Sequence, residues 1–117
     1  MTEFVRVYHN ARCSKSRSAC LLLQEKGVQL EVVEYLKNPP SRDELAEVLK
    51  KLGLPAETIV RKGEEIYKSD YKGRSLSDAE WLDALAAHPI LIERPIVVYG
   101  DRAVVGRPPE KVLELFA

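Results

Sequence analysis

Apolar and polar positions alternate along Phe4-Val5-Arg6-Val7-Tyr8, the period of a strand with one buried face. After a short loop over His9–Cys13 the period changes. From Ser14 onward Ala19, Leu22, Leu23 and Lys26 share a helical face, and Gly27 provides a stop. Leu30 to Tyr35 is rich in Val and Glu and predicts a second strand, ended by Asn38-Pro39-Pro40. Ser41 followed three residues later by Glu44 is a capping-box pattern. It opens an amphipathic helix on Leu45, Val48, Leu49 and Leu52 that Gly53 closes. Residues 55–73 are polar and predict only short helices and loop. Ser77 and Glu80 form a second box, opening a helix that carries Trp81, Leu82 and Leu85 and stops before His88-Pro89. Pro95 to Tyr99 predicts a strand, Gly100-Asp101 a two-residue turn, and Ala103 to Val105 its antiparallel partner. Pro108-Pro109 then starts a last helix on Val112, Leu113, Leu115 and Phe116.

The predicted order is β-α-β, then helices, then a β-hairpin, then a helix. A βαβ unit implies two parallel strands joined by a right-handed crossover, and the hairpin adds an antiparallel pair. The expectation is an α/β protein with a thioredoxin-like fold. Its four-stranded mixed sheet would carry a helical insertion between strand two and the C-terminal β-hairpin. Residues 1–117 would form a single domain, since this length suits one domain and not two.

Composition narrows the function classes. Lys plus Arg and Asp plus Glu are both 18, so the net charge is zero, which argues against a nucleic-acid partner. No apolar run reaches the ~20 residues of a membrane span. Met1 to Tyr8 reads as structure rather than as a signal peptide, and two cysteines make no secreted disulfide scaffold. A cytoplasmic location without a membrane association is expected. The charge is nevertheless uneven. The 21 positions between Glu3 and Glu25 hold no acidic residue, but they hold Arg6, Arg12, Lys15, Arg17 and both cysteines.

Cys13 falls where the first strand gives way to the first helix. Unpaired backbone N–H groups and the positive end of the helix dipole stabilise a thiolate or an oxyanion at such a terminus. Lys15 and Arg17 add charge, and Ser14 and Ser16 add hydroxyls. Cys20 lies seven residues on, about 10 Å away along a helix and too far for a disulfide, so it reads as core. Cys13-Ser14-Lys15-Ser16 is not C-x-x-C, so turnover of an oxidised Cys13 calls for an outside thiol. Cys13 to Arg17 is C-x3-R rather than the C-x5-R of tyrosine phosphatases, and no zinc, dinucleotide or P-loop pattern is present.

The segment His9-Asn10-Ala11-Arg12-Cys13-Ser14-Lys15-Ser16-Arg17 resembles the active-site loop of the ArsC-type, glutaredoxin-linked arsenate reductases, in particular a short subgroup with Cys-Ser-Lys-Ser-Arg. The likeness continues through Glu34–Ser41, Ile59-Val60-Arg61, Leu76-Ser77-Asp78, His88–Ile96 and Val105–Glu110, almost the whole chain. It implies reduction of As(V) to As(III) by a single nucleophilic cysteine, with no bound cofactor, glutathione as co-substrate and glutaredoxin as partner. It implies that Cys13 is the nucleophile and that Arg61, Arg94 and Arg107 bind the oxyanion. His9 and Ser16 would lower the thiol pKa, and Asn10 and Arg17 would complete the loop. It also implies a cis proline at Pro95 facing Cys13, which places Arg94 beside the thiol. The loop departs from the better-known pattern in having Ala11 for Pro and Ser14-Lys15 for Gly-Thr.

Two other readings fit part of the pattern. A regulatory binding module of the Spx type normally carries C-x-x-C, and Ser16 stands where its second cysteine would be. A glutaredoxin-type thiol oxidoreductase is compatible with Cys-x-x-Ser but has no need of three arginines around one thiol.

Overall fold

The computed structural model describes residues 4–116; of the first segment read above as structure, Met1–Glu3 lie outside them. The sheet consists of β1 (Phe4–His9), β2 (Gln29–Glu34), β3 (Ile96–Tyr99) and β4 (Arg102–Val105) in the order β2-β1-β3-β4. β1 and β2 are parallel, with Val7 opposite Val32 and His9 opposite Glu34. β3 is antiparallel to both β1 and β4. This is the mixed four-stranded sheet of a thioredoxin-like fold, as the element order predicts. The β3–β4 turn falls on Gly100-Asp101, where Gly100 takes φ +63°, a conformation a residue with a Cβ rarely adopts.

Chain contacts divide the molecule into two units. One comprises the chain up to Asn38 and from Arg94 onward, and the other comprises Pro39–Glu93. In the first unit, α1 (Ser14–Glu25) crosses from β1 to β2 and packs with a C-terminal 3-10 helix, Pro109–Phe116. Val5 and Val7 of β1, Ala19 and Leu23 of α1, Val97 of β3, and Val112 and Leu115 form its core. Alternate residues of a strand share one face, so Val5, Val7 and His9 all face α1.

The final helix differs from expectation in kind. It is 3-10, with Lys111 N–H donating to Pro108 O at 3.0 Å. Val112 and Leu115 are fully buried while Leu113 is 41% exposed. A spacing of three suits a three-residue turn, which puts side chains i and i+3 directly above one another.

The second unit holds α2 (Arg42–Leu52), a 3-10 turn at Ala56–Ile59, α3 (Glu65–Asp70), α4 (Asp78–Ala87) and a 3-10 turn at Pro89–Leu91. Both predicted N-caps form. Ser41 Oγ accepts from Glu44 N–H at 3.1 Å, and Ser77 and Glu80 exchange both bonds of the capping box. Gly53 ends α2 with φ +68°. α2 packs on α4, burying Leu45, Val48, Leu49, Leu82 and Leu85. Trp81 is buried with its ring near Tyr67 and Tyr71.

Candidate active site

Cys13 is the N-cap of α1, in extended backbone (φ −94°, ψ 122°), with no acidic residue in the first helical turn. The preceding loop is tied by its own atoms. Cys13 N–H donates to Asn10 O at 2.9 Å, and Arg12 N–H donates to Asn10 Oδ1 at 3.0 Å, an Asx-type turn. Asn10 N–H donates to Ser16 Oγ at 3.3 Å, and Ser16 is fully buried. Arg17 Nη1 donates to Ala11 O at 2.9 Å. Asn10, Ser16 and Arg17 thus shape the loop that presents the thiol. The side chains of Arg12, Ser14 and Lys15 are exposed around it.

The surroundings of Cys13 act on its charge in opposite senses. Partial burial pushes the thiol pKa up. The backbone N–H groups of Ser16 and Lys15 and the guanidinium of Arg94 act the other way and bring it down to about 7. Ser16 therefore reaches the thiol through its amide, while its hydroxyl serves the loop.

Arg94 is next to Cys13, and the Arg94–Pro95 peptide is cis, both as the resemblance implies. The Arg94 guanidinium donates to Cys13 and to the buried Tyr35 at the end of β2. Burial opposes the Arg94 cation, but Tyr35 and Cys13 more than offset it, so its pKa is raised. Arg107 Nη1 reaches Cys13 Sγ at 3.8 Å and donates to Arg94 O at 3.1 Å. Gly106 sets this position. Its N–H donates to Pro95 O at 2.8 Å, and a Cβ there would meet Pro95 Cγ at 2.9 Å.

Two of the residues read from the sequence have other partners. Arg61 lies in the second unit, where its Nη1 donates to Glu93 at 2.7 Å and its Nε to Glu64 at 3.2 Å. The ring of His9 contacts Cys20, with Nδ1 3.7 Å from Sγ. Cys20 is half-buried against the core, and neither cysteine is in a disulfide. Burial raises the Cys20 pKa.

Sequence reasoning assigned no role to Tyr35 and read Cys20 only as core. The one signal for Tyr35 is a hydroxyl-bearing aromatic just past the C-terminal end of a strand, where ligands of α/β sheets gather. For Cys20 it is the helical spacing that turns it toward the face where β1 ends.

A thiol about half ionised at neutrality, two guanidinium groups and the amides of a helix N-terminus meet at one point. Guanidinium groups present paired donors to tetrahedral oxyanions, and a thiolate is a nucleophile. The arrangement can hold a small oxyanion and attack its central atom.

Relatives match this chain over nearly its whole length. An arsenate reductase of Haemophilus influenzae is 46% identical over 113 residues, 95% of this chain and 97% of its own. An arsenate reductase of Neisseria meningitidis is 44% identical over 110 residues, 92% of this chain and 94% of its own. The solved structure of an arsenate reductase from Vibrio cholerae superposes with a TM-score of 0.93 at 46% identity, covering 97% of this chain and 98% of that one. The match to the ArsC family runs from residue 8 to residue 115, through the Cys13 loop, Arg94 and Arg107, and the chain belongs to that family.

Proposed function

We propose that this protein is an arsenate reductase that uses Cys13 as its only nucleophile and glutathione with glutaredoxin as its reductant. The observation that carries this reading is the Cys13 thiol, brought down to about 7 between Arg94 and the amides of Ser16 and Lys15. Arsenate has the charge and shape of the oxyanion such donors bind, and the named relatives act on it.

In the first step the Cys13 thiolate forms an S–As bond, and one arsenate oxygen leaves as water after taking up protons. Arg94 and Arg107 hold the remaining negative oxygens. A glutathione thiolate then adds at arsenic. The two sulfurs join, and the electron pair of the broken S–As bonding stays on arsenic, which falls from As(V) to As(III). Cys13 is left as a mixed disulfide with glutathione. Cys13-Ser14-Lys15-Ser16 offers no neighbouring thiol to resolve it, which is the task assigned to glutaredoxin.

The test is arsenate-dependent oxidation of glutathione with glutaredoxin present. Wild-type protein turns over, Cys13→Ser does not, and mass spectrometry finds one glutathione on Cys13 when glutaredoxin is withheld. Turnover by Cys13→Ser at the wild-type rate overturns the proposal.

A further inference from the structure

His9 is the last residue of β1 and lies on the face that meets α1. Three groups that bear charge or a titratable proton face its ring. Cys20 and Arg17 come from α1, and Glu34 is its register partner on β2. Glu34 is also 3.7 Å from Lys37. Burial lowers the His9 pKa, Glu34 raises it and Arg17 lowers it, so the imidazole is neutral at pH 7 with one nitrogen free to accept.

The contact between Cys20 and His9 has one favourable polarity. A half-buried cysteine whose pKa is raised keeps its proton. A thiol sulfur is a weak acceptor, whereas an unprotonated imidazole nitrogen is a good one. That polarity would put the proton on Sγ, aimed at Nδ1 3.7 Å away, and leave the ring proton on Nε2. Arg17, which feels the charge of this ring, is the residue that holds the Ala11 carbonyl at 2.9 Å. A cationic His9 would repel Arg17 from that carbonyl. The loop next to it is the one in which Cys13 N–H bonds Asn10 O.

We propose that Cys20 is a positioning residue: it donates its thiol proton to His9 Nδ1 and keeps the imidazole neutral, so that Arg17 stays on the Ala11 carbonyl and fixes the loop that presents Cys13. This deepens the reading of Cys13 as nucleophile and rests on it for its purpose. Its test does not use arsenate, so the two fail separately.

The experiment is a pH titration of 15N-labelled full-length protein by NMR, following the His9 ring nitrogens and the amides of Ala11, Arg12 and Cys13. The wild type has the Nε2–H tautomer. Cys20→Ala makes His9 easier to protonate by roughly two- to fivefold, the lower part of the range for one hydrogen bond because a thiol is a weak donor, and the three loop amides titrate with it. Cys20→Ser keeps a donor and restores the wild-type midpoint. An Nδ1–H tautomer in the wild type overturns the proposal without any variant. So does an unchanged His9 midpoint in Cys20→Ala, or loop amides that ignore the His9 titration. A protein that meets these expectations and reduces no arsenate would sink the proposed activity and leave the role of Cys20 intact.

Discussion

At the scale of single residues, the proposed chemistry turns on how one thiol is kept ionised. Burial alone would make Cys13 a poor nucleophile. The Ser16 and Lys15 amides and the Arg94 guanidinium reverse that and set its pKa at about 7. The reactive form is the thiolate, so alkylation of Cys13 by iodoacetamide gains rate as pH rises through about 7 and loses it as pH falls below. Arg94 is the one full charge among these influences. Replacing it with Gln leaves the amides in place and moves the midpoint up toward the ordinary cysteine range. An opposite charge in hydrogen-bond contact shifts a pKa by about one or more, so Arg94→Gln leaves roughly fivefold less thiolate at pH 7. The rate profile of iodoacetamide labelling, read on the Cys13 peptide, measures this directly. A profile identical to wild type would mean that the amides and Arg107, whose Nη1 is 3.8 Å from Sγ, hold the thiolate without Arg94.

At the scale of elements, most of both units was legible in the local sequence pattern. The alternation of Phe4–Tyr8, the capping boxes at Ser41 and Ser77 and the glycine stops at Gly27 and Gly53 are local signals, and each element follows from them. Local pattern failed where tertiary packing decides. Val112, Leu113, Leu115 and Phe116 fit an α-helix as well as a 3-10 helix, and the burial of Val112 with Leu115 selects the latter. The site was legible only as a set of residues. Cys13 and Arg107 meet 94 positions apart, and no periodicity carries that information. Family spacing does, and it says nothing of Tyr35 behind Arg94 or Cys20 behind His9. Gly106 shows how an element end fixes such a partner. An alanine there would overlap the Pro95 ring at 2.9 Å and press on Val112 at 3.1 Å. Neither neighbour is a flexible chain end, so Gly106→Ala is expected to cost about 1–3 kcal/mol, seen as a lower urea midpoint. It also moves Arg107 and so weakens arsenate turnover beyond the loss of stability. A variant as stable and active as wild type would show that β4 can shift without cost.

At the scale of the whole molecule, the two units divide the arginines. Arg94 and Arg107 belong with Cys13 in the first, while Arg61 belongs to the second and is clasped there by Glu64 and Glu93. All three side chains of that cluster are only about a quarter exposed or less. Arg61→Gln removes the cation from two carboxylates and should cost about 1–2 kcal/mol, between the values for exposed and buried pairs. The Cys13 labelling midpoint should stay where it is, since the groups that set it are Ser16, Lys15 and Arg94. A moved midpoint would give Arg61 a direct influence on the thiol.

The charge of the molecule leads to a different kind of test. The net charge is zero, yet the 21 positions from Phe4 to Gln24 carry four positive charges and no negative one. The remaining chain therefore carries four net negative charges. A neutral protein has little long-range field to draw an anion in, and at physiological ionic strength exposed charges more than about 8 Å apart are largely screened. On the proposed reading, capture of arsenate depends on short-range donors, namely the guanidinium groups and helix amides around Cys13. Inert salt acts on the long-range part alone. Raising KCl from about 0.02 M to about 0.15 M should lower kcat/KM for arsenate by less than roughly threefold. A tetrahedral oxyanion acts on the short-range part. Sulfate at the same ionic strength should raise KM in proportion to its concentration, leave kcat unchanged and protect Cys13 from iodoacetamide. Equal effects of chloride and sulfate would mean that diffuse charge and not a shaped site holds the anion, and the arrangement of Arg94 and Arg107 would then need another purpose.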